Sequence, residues 1–296
     1  MLKVTELGGV RRFDVARTLA GRGRYWTTCY LVGTTMVDSG CAHGAAELLA
    51  SLGETPVERV LTTHTHEDHI GANGPLQRSR PGLEIRAHAL ALSVLADPGR
   101  RQPLHPYRRV MWGWPSPSTG LAVSDGQVIE AGEHRFQAVH TPGHSPEHLC
   151  FYEPDRGWLF TGDLYVGGRD RAIRAGYAVW EIIASLKRVA ALEVRVLYPG
   201  SARVPEDPVA ALRGKIDHLE RLREQILELD RRGVSETEIT RRLCGSPMWI
   251  ELITLGHFTR RNLVRSYLGR NHDPSEVRWP EGTGEQASQA AACGPA

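Results

Sequence analysis

Cysteine is sparse in this chain, and no cysteine stands close to another. Five occur in 296 residues, at Cys29, Cys41, Cys150, Cys244 and Cys293, and none forms a CxxC pair. An odd number of scattered cysteines argues against a disulfide framework and a cysteine zinc site, and is typical of a reducing compartment. A chain of this length can bury a core that folds without such cross-links.

Long apolar runs and a strong charge bias are also missing. No apolar segment approaches the roughly 20 residues that span a bilayer, and residues 1–19 lack the apolar core of a secretory signal. The formal net charge of +2 is too small to indicate nucleic-acid or membrane partners. We therefore expect a cytoplasmic protein that binds neither nucleic acid nor membrane.

Two motifs of enzyme chemistry are absent as well. The chain has no GxSxG nucleophile motif, and no glycine-rich phosphate loop precedes a helix. A hydrolase with this sequence would therefore use water as its nucleophile.

Residues 1 to about 204 show alternating strand and helix patterns, which indicate an α/β arrangement. Short β-branched runs that end at polar or glycine breaks predict strands within residues 30–40, 57–66, 134–144, 149–163 and 194–201. Residues 44–53 and 177–192 carry apolar residues at helical spacing.

From residue 205 the pattern becomes helical. Apolar residues recur every three or four positions from Val209 to Leu229, which predicts one long helix with a core-facing seam rather than a dimer coiled coil. Ser235 and Glu238 have the spacing of a capping box. We expect a helical extension over 205–270, followed by a disordered tail over 271–296.

The stretch TTHTHEDHIGANG, residues 62–74, places potential metal ligands at the end of a predicted strand. Residues two apart share one face of a strand, so His64 and His66 should project together. Asp68 and His69 follow where the chain turns toward a helix. Burying four such side chains without partners would be costly, and imidazole with carboxylate suits zinc, iron or manganese.

Two later segments provide further ligands. TPGHSPEH offers His144 in a turn after a strand, and WLFTGD ends a strand at Asp163. Either alone could be a simple turn or cap. Together with residues 64–69 they supply a three-imidazole site from His64, His66 and His144, a second site that begins with Asp68 and His69, and Asp163 as a bridge.

The order HTHEDH, TPGHSPEH, FTGD resembles the metallo-β-lactamase fold superfamily over residues 1–204. The resemblance implies an α+β fold, an αββα sandwich of two mixed sheets, with metals bound by loops along one edge. It assigns His64, His66 and His144 to the first metal, and Asp68 and His69 to the second, with Asp163 shared. CYLVGTTMVDSG resembles the family's opening hairpin, with Asp38 at its end.

The sequence departs from the family pattern at Ser201. Family members present a final histidine in a PGH-like turn, where this chain reads VLYPGSARV. A serine hydroxyl is a poor ligand, so we expect one or two zinc ions with a weakened second site. His218 and His257 are candidate replacements. LRGKIDHLERLREQIL followed by HFTRRNLVRSYL resembles the C-terminal helices of superfamily hydrolases near hydroxyacylglutathione hydrolase and related thioesterase-like proteins. This resemblance implies that the helices lie over the metal cleft.

Substrate contacts are suggested by two clusters. Residues 100–120 carry Tyr107, Trp112 and Trp114, which could wall an apolar pocket, with Arg108 or Arg109 meeting an acidic group. A second cluster of Arg169, Arg171 and Arg174 follows Asp163 and would suit an anionic substrate such as a carrier-protein thioester.

The sequence therefore predicts a metal-dependent hydrolase of a thioester, ester or lactone, with Asp68 orienting water and carrying a proton. The substrate is expected to be small or carrier-bound, and a homodimer is left open. Three alternatives remain: a mononuclear iron persulfide dioxygenase, a nuclease, and a non-catalytic binding or regulatory protein.

Overall fold

The computed structural model describes residues 1–102 and 105–271. The predicted tail, apart from Asn271, lies outside the described residues, as does Cys293. The other four cysteines are buried free thiols. None of the helices in the described ranges has the length and apolar character needed to cross a bilayer.

The first sheet has seven strands in chain order. They are β1 (Leu2–Leu7), β2 (Val10–Leu19), β3 (Arg22–Val32), β4 (Thr35–Val37), β5 (Arg59–Leu61), β6 (Glu84–His88) and β7 (Gly120–Val123). Strands β1 to β4 pair antiparallel, and β4 to β7 pair parallel. The parallel half puts the carboxyl ends of β4, β5 and β6 at one edge of the sheet, and the metal-ligand loop begins there.

The second sheet has five strands. They are β8 (Val128–Ala131), β9 (His134–His140), β10 (Leu149–Glu153), β11 (Trp158–Gly162) and β13 (Val196–Pro199), in the order β13-β11-β10-β9-β8. Only β11 and β13 pair parallel. A small third sheet joins β12 (Ile173–Arg174) to β14 (Phe258–Thr259), and it ties the segment after Asp163 to the C-terminal helices.

Helices cover both outer faces of the two large sheets. They are α1 (Ala45–Leu52), α2 (Asn73–Ser79), α3 (Leu92–Ala96), α4 (Pro98–Arg101), α5 (Pro106–Trp112), α6 (Val179–Ala190), α7 (Pro208–Arg231), α8 (Glu236–Cys244), α9 (Trp249–Ile253) and α10 (Arg260–Tyr267). Single turns of 3₁₀ helix occur at Ala42–Gly44 and Ala89–Ala91.

The core has three clusters, as an αββα sandwich requires. Phe136, Phe151 and Phe160 meet Tyr30 between the two sheets. A second cluster packs α1 and α2 on the outer face of the first sheet, and a third packs α6, α7, α8 and α10 on the second. The predicted α+β sandwich with a C-terminal helical extension is confirmed.

The helical extension shares its core with the sandwich. Leu212, Leu219 and Ile226 of α7 are buried in the same cluster as Leu159 of β11. The seam of α7 therefore faces the core, as predicted, and Ser235 accepts a hydrogen bond from the Glu238 amide at the start of α8.

Candidate metal centre

The HTHEDH segment lies in a loop rather than on a strand. Strand β5 ends at Leu61, because the Asp38 carboxylate takes the amide of Thr63 at 2.7 Å, where a neighbouring strand would otherwise bond. The prediction that His64 and His66 leave a strand face was wrong, whereas Asp68 and His69 do lie where the chain turns toward a helix. They belong to a turn that precedes α2, which begins at Asn73.

Three imidazoles nevertheless converge. His66 Nδ1 lies 2.9 Å from His64 Nε2 and 2.9 Å from His144 Nε2. His64 is fully buried, and His144 is 7% exposed. The fold therefore brings together all three residues expected at the first site.

Burial favours the neutral form of these rings. Desolvation, and then the neighbouring imidazoles, hold the pKa of His64 well below its ordinary value. Desolvation lowers the pKa of His144 to about 3, and desolvation followed by the Arg174 guanidinium lowers that of His66. Neutral imidazole is the form that binds a metal.

A second group combines His69 and Asp163 with His64. His69 Nε2 lies 3.5 Å from Asp163 Oδ1 and 3.8 Å from Asp68 Oδ2. Its other nitrogen, Nδ1, lies 2.7 Å from Asp38 Oδ2. Asp163 Oδ2 is also 3.6 Å from His144 Nε2, so this carboxylate lies between the two groups, where a bridging ligand would be.

The carboxylates at the site differ in acidity. Desolvation, with Asp163 and Glu67 nearby, raises the pKa of Asp68 to about 6. Burial also acts to raise the pKa of Asp163, but His69 and His144 outweigh it and hold that pKa below its usual range. Asp68 is thus the more basic of the two carboxylates in the metal-free chain.

No further imidazole reaches the second group from the candidate positions. Ser201 Oγ donates to Asp163 Oδ1 at 3.1 Å, so position 201 does face this site. His218 pairs with the backbone carbonyl of Asp170, and His257 pairs with the Tyr107 hydroxyl. Neither provides the replacement that the sequence suggested.

The two groups fit metal ions. His69 Nε2 is buried and has no hydrogen-bond partner, which is costly for an imidazole nitrogen unless a ligand meets it. The 2.9 Å contacts among the other nitrogens are within a few tenths of the roughly 3.3 Å expected between ligand nitrogens of tetrahedral zinc. A Cβ at Gly200 would lie 2.7 Å from His69 Cε1, so the chain leaves room here for the ring alone.

Several supporting residues were missed by the sequence reasoning. His148 accepts a hydrogen bond from the Asp163 amide, and Glu147 holds the amide and hydroxyl of Thr65. Arg108 and Glu67 form a fully buried ion pair beneath the loop. The only sequence signal was proximity to the motifs, since Glu67 lies inside HTHEDH and both His148 and Glu147 inside TPGHSPEH.

The site opens into a cavity of about 440 Å³, a size typical of small-molecule sites. His66, Asp68, His144 and Asp163 lie at one end. Its aromatic walls include Tyr25, Trp26, Trp112, Tyr177, Trp249 and Phe258. Trp249 and Phe258 come from the C-terminal extension, which therefore lies over the metal cleft.

Some of the predicted substrate contacts line this cavity and others do not. Tyr107 and Trp112 do, and their contact with substrate stays a prediction. Arg109 is exposed outside it, and Trp114 lies away from it near Gly99. Arg108 is occupied by Glu67. Arg109 and Trp114 therefore do not line this cavity, since Arg109 lies on the exposed face of α5 and Trp114 follows the end of that helix at Trp112.

The second basic cluster also divides. Arg169 is exposed, and Arg171 donates to the Cys244 carbonyl. Arg174 is 6% exposed, lines the cavity, and places Nη1 2.7 Å from His66 Nε2.

Comparison with known proteins gives the family. Residues 23–201 match the family model of the metallo-beta-lactamase superfamily. The chain belongs to this superfamily. An atrochrysone carboxyl ACP thioesterase of Aspergillus fumigatus is 30% identical over 209 residues, which are 68% of this chain and 58% of the relative. The chain thus spans less than two thirds of that relative's length.

Solved structures share the fold. A metallo-beta-lactamase family protein of Thermus thermophilus superposes with a TM-score of 0.63 at 22% identity, over 89% of this chain and 92% of that one. TTHA1623, solved in a di-iron-bound form, has a TM-score of 0.53 at 28% identity, over 64% of this chain and 94% of that one.

Proposed function

We propose that this protein is a metal-dependent hydrolase that cleaves a thioester, or a related ester or lactone, with water as the nucleophile. The observation that carries the proposal is the position of the ligand set. Four imidazoles and two carboxylates cluster there, and His66, His144, Asp68 and Asp163 line one end of an aromatic-walled cavity. His64, His66, His144 and Asp163 would hold one ion, and His69, Asp68 and Asp163 a second. Bound zinc would lower the pKa of water from about 15.7 toward 7 and polarise the substrate carbonyl.

Asp68 is the proposed proton carrier. Its carboxylate lines the cavity beside His69, and its pKa is raised to about 6. It can accept a proton from water as the water oxygen bonds to the carbonyl carbon. When the carbon–sulfur bond breaks, the same carboxyl can return the proton to the departing sulfur.

Tyr177 and the aromatic walls would position the acyl group. The Tyr177 hydroxyl lies 3.2 Å from His144 Nε2, at the boundary between ligands and cavity. From there it can donate a hydrogen bond to the carbonyl oxygen as negative charge develops. The apolar walls exclude bulk water and favour a flat acyl group.

The Aspergillus relative supports a thioester as the substrate, and its name supports a carrier protein as the leaving group. We therefore place acyl thioesters, small or carrier-bound, ahead of oxygen esters and lactones. Zinc is the proposed metal, with iron or manganese as alternatives.

A panel of thioesters, oxygen esters, lactones and phosphodiesters tests the proposal with zinc-loaded protein. We expect thioester turnover, loss of at least a hundredfold in kcat/KM for Asp68→Asn, and little change for Asp125→Asn, a surface carboxylate paired with Arg188. Zinc-loaded protein that turns over phosphodiesters but none of the carbonyl substrates would overturn it.

A second candidate is persulfide oxidation by a mononuclear iron enzyme. Ser201 favours it, because the hydroxyl weakens the second site. Iron at one equivalent per chain, with oxygen consumption on persulfides, would select this reaction over hydrolysis.

A further inference from the structure

Arg174 is a buried cation on the wall of the metal cavity. Its backbone is fixed in β12, where it pairs with Phe258 of β14, and its carbonyl accepts a hydrogen bond from Asn271. The guanidinium carbon lies 5.9 Å from the centre of the Tyr177 ring. Tertiary structure therefore holds this side chain at the cavity, and it is not a flexible surface arginine.

Arg174 differs from the neighbouring buried cations in having no carboxylate in direct contact, and Glu67 and Asp68 act on its charge only from farther away. Lys215 lies 2.6 Å from Asp170, and Arg108 pairs with Glu67. Among the residues that the structure describes, no carboxylate comes within 4.0 Å of Arg174. A buried charge without a partner is costly, so an anion from outside the chain would be stabilised here.

The contact between the Arg174 guanidinium and His66 also lacks a hydrogen-bond acceptor when His66 binds a metal. Guanidinium nitrogens only donate, and Nη1 faces His66 Nε2 at 2.7 Å. His66 turns Nδ1 toward His64 and His144. A neutral ring that uses Nδ1 as a metal ligand carries its proton on Nε2. Two donors would then face each other, and an anion with an oxygen beside the pair, within hydrogen-bond reach of both nitrogens, would satisfy both.

We propose that Arg174 and His66 Nε2 form a carboxylate subsite, with Tyr107, which lines the same cavity, at its edge. The inference rests on the proposed hydrolase function and specifies its substrate class. That class is a flat acyl thioester with a second carboxylate on the acyl group. The aromatic walls receive the ring or chain, and Arg174 receives the charge.

Two isosteric thioesters test this assignment in the zinc-loaded protein. One is the 4-carboxybenzoyl thioester of N-acetylcysteamine, and the other is its 4-carbamoyl counterpart. The carbamoyl group withdraws more electron density, so intrinsic reactivity opposes the expected preference. We expect kcat/KM to favour the carboxylate by roughly ten- to a hundredfold, as charge-assisted hydrogen bonds would give.

Variants assign the preference to its residue. Arg174→Met should remove the preference, so that kcat/KM becomes equal for the two thioesters, and Arg174→Lys should retain part of it. Arg169→Met, on the exposed part of the same segment, should behave like the wild type. Equal kcat/KM for the two thioesters in the wild type, or an unchanged preference in Arg174→Met, would overturn the subsite.

A binding measurement separates the subsite from the reaction. Benzoate and benzamide are titrated into metal-free protein, and tryptophan fluorescence reports occupancy of the cavity. We expect benzoate to bind about tenfold tighter than benzamide, with the difference lost in Arg174→Met and kept in Arg169→Met. If this holds but no thioester is cleaved, the proposed function fails and the subsite stands. Equal binding of the two ligands would overturn the subsite.

Discussion

Asp38 Oδ2 lies 2.7 Å from His69 Nδ1, and this contact determines which nitrogen of His69 faces the metal site. The same carboxylate accepts hydrogen bonds from the amide and hydroxyl of Thr63. With its acceptors engaged by three donors, Asp38 keeps the proton of His69 on Nδ1. Nε2 is therefore left as the lone-pair nitrogen toward Asp68 and Asp163.

Asp38→Asn should lower zinc affinity by about 10- to 100-fold, the usual effect of losing such a supporting group. An asparagine can accept from Thr63, but its amide nitrogen would then face His69 Nδ1–H, donor against donor. Zinc competition with a chromophoric chelator measures the change. Asp125→Asn is the control, and an affinity for Asp38→Asn equal to that of the wild type would show that His69 does not depend on Asp38.

The buried Glu67–Arg108 pair should be a large contributor to stability. Both side chains are essentially without solvent contact, at 0% and 1%, so Arg108→Met would leave Glu67 charged and unpaired. We expect a loss of about 3–5 kcal/mol in the free energy of unfolding, measured by urea denaturation of metal-free protein.

Two comparisons make that measurement specific. The double variant Glu67→Gln, Arg108→Met should lose less than the sum of the single variants, because no charge is left buried. Arg135→Met breaks an exposed pair with Asp155 and should cost at most about 1 kcal/mol. If breaking the exposed pair and breaking the buried pair lowered the free energy of unfolding equally, the buried pair would not be a large contributor to stability.

Ser201→His should strengthen the second site. Ser201 Oγ already contacts Asp163, so an imidazole at this position would be next to the carboxylate proposed to bridge two ions. We expect zinc content after dialysis to rise toward two equivalents per chain, by elemental analysis. Ser201→Leu adds bulk without a ligand and should not raise it. Equal zinc content in Ser201→His and the wild type would argue against a second site here.

His88 should make the fold less stable in mild acid. Its ring stacks on His140 at 4.6 Å, and desolvation, followed by the charge of His140, lowers its pKa from 6.5 to about 4, with Asp125 acting in the opposite direction. Between these values the unfolded chain binds the proton and the folded chain does not. The contribution of neutral His88 to the free energy of unfolding is therefore fully present above pH 6.5, and it is lost as the pH drops toward 4.

Replacing His88 by Gln should flatten this dependence. Because the ring is partly exposed, we expect wild type to lose only about 1 kcal/mol more than the variant between about pH 7 and about pH 4.5. Denaturation of metal-free protein at several pH values measures the difference. If the free energy of unfolding changed with pH equally in wild type and His88→Gln, the pKa of His88 would be the same in the folded and unfolded states.

The metal motifs could be recognised in the sequence because the ligands within each motif are only a few residues apart. HTHEDH carries four ligands in the loop after β5 of the first sheet, and TPGH and FTGD place one ligand each at the ends of β9 and β11 of the second sheet. The long helix α7 was equally readable, since its apolar seam repeats over many turns. The site geometry therefore followed from short patterns, even though β5 ends sooner than expected.

Supporting residues could not be predicted, because they depend on contacts between distant segments. Asp38 and His69 are 31 positions apart, and Arg108 reaches Glu67 over 41. Strands β1 and β2 were not predicted either. The interior of β1 is exposed and lacks an alternating apolar pattern, so only its pairing with β2 makes it a strand.

Zinc binding by wild type and by His144→Ala tests the central claim most directly. Equilibrium dialysis of metal-free protein, with elemental analysis, gives the number of ions retained, and His43→Ala replaces an exposed histidine as the control. The account predicts at least one zinc per chain for the wild type and the control, and at least a hundredfold weaker zinc binding for His144→Ala. Wild type that stays metal-free when offered zinc, iron and manganese, or His144→Ala that binds zinc as tightly as wild type, would contradict it.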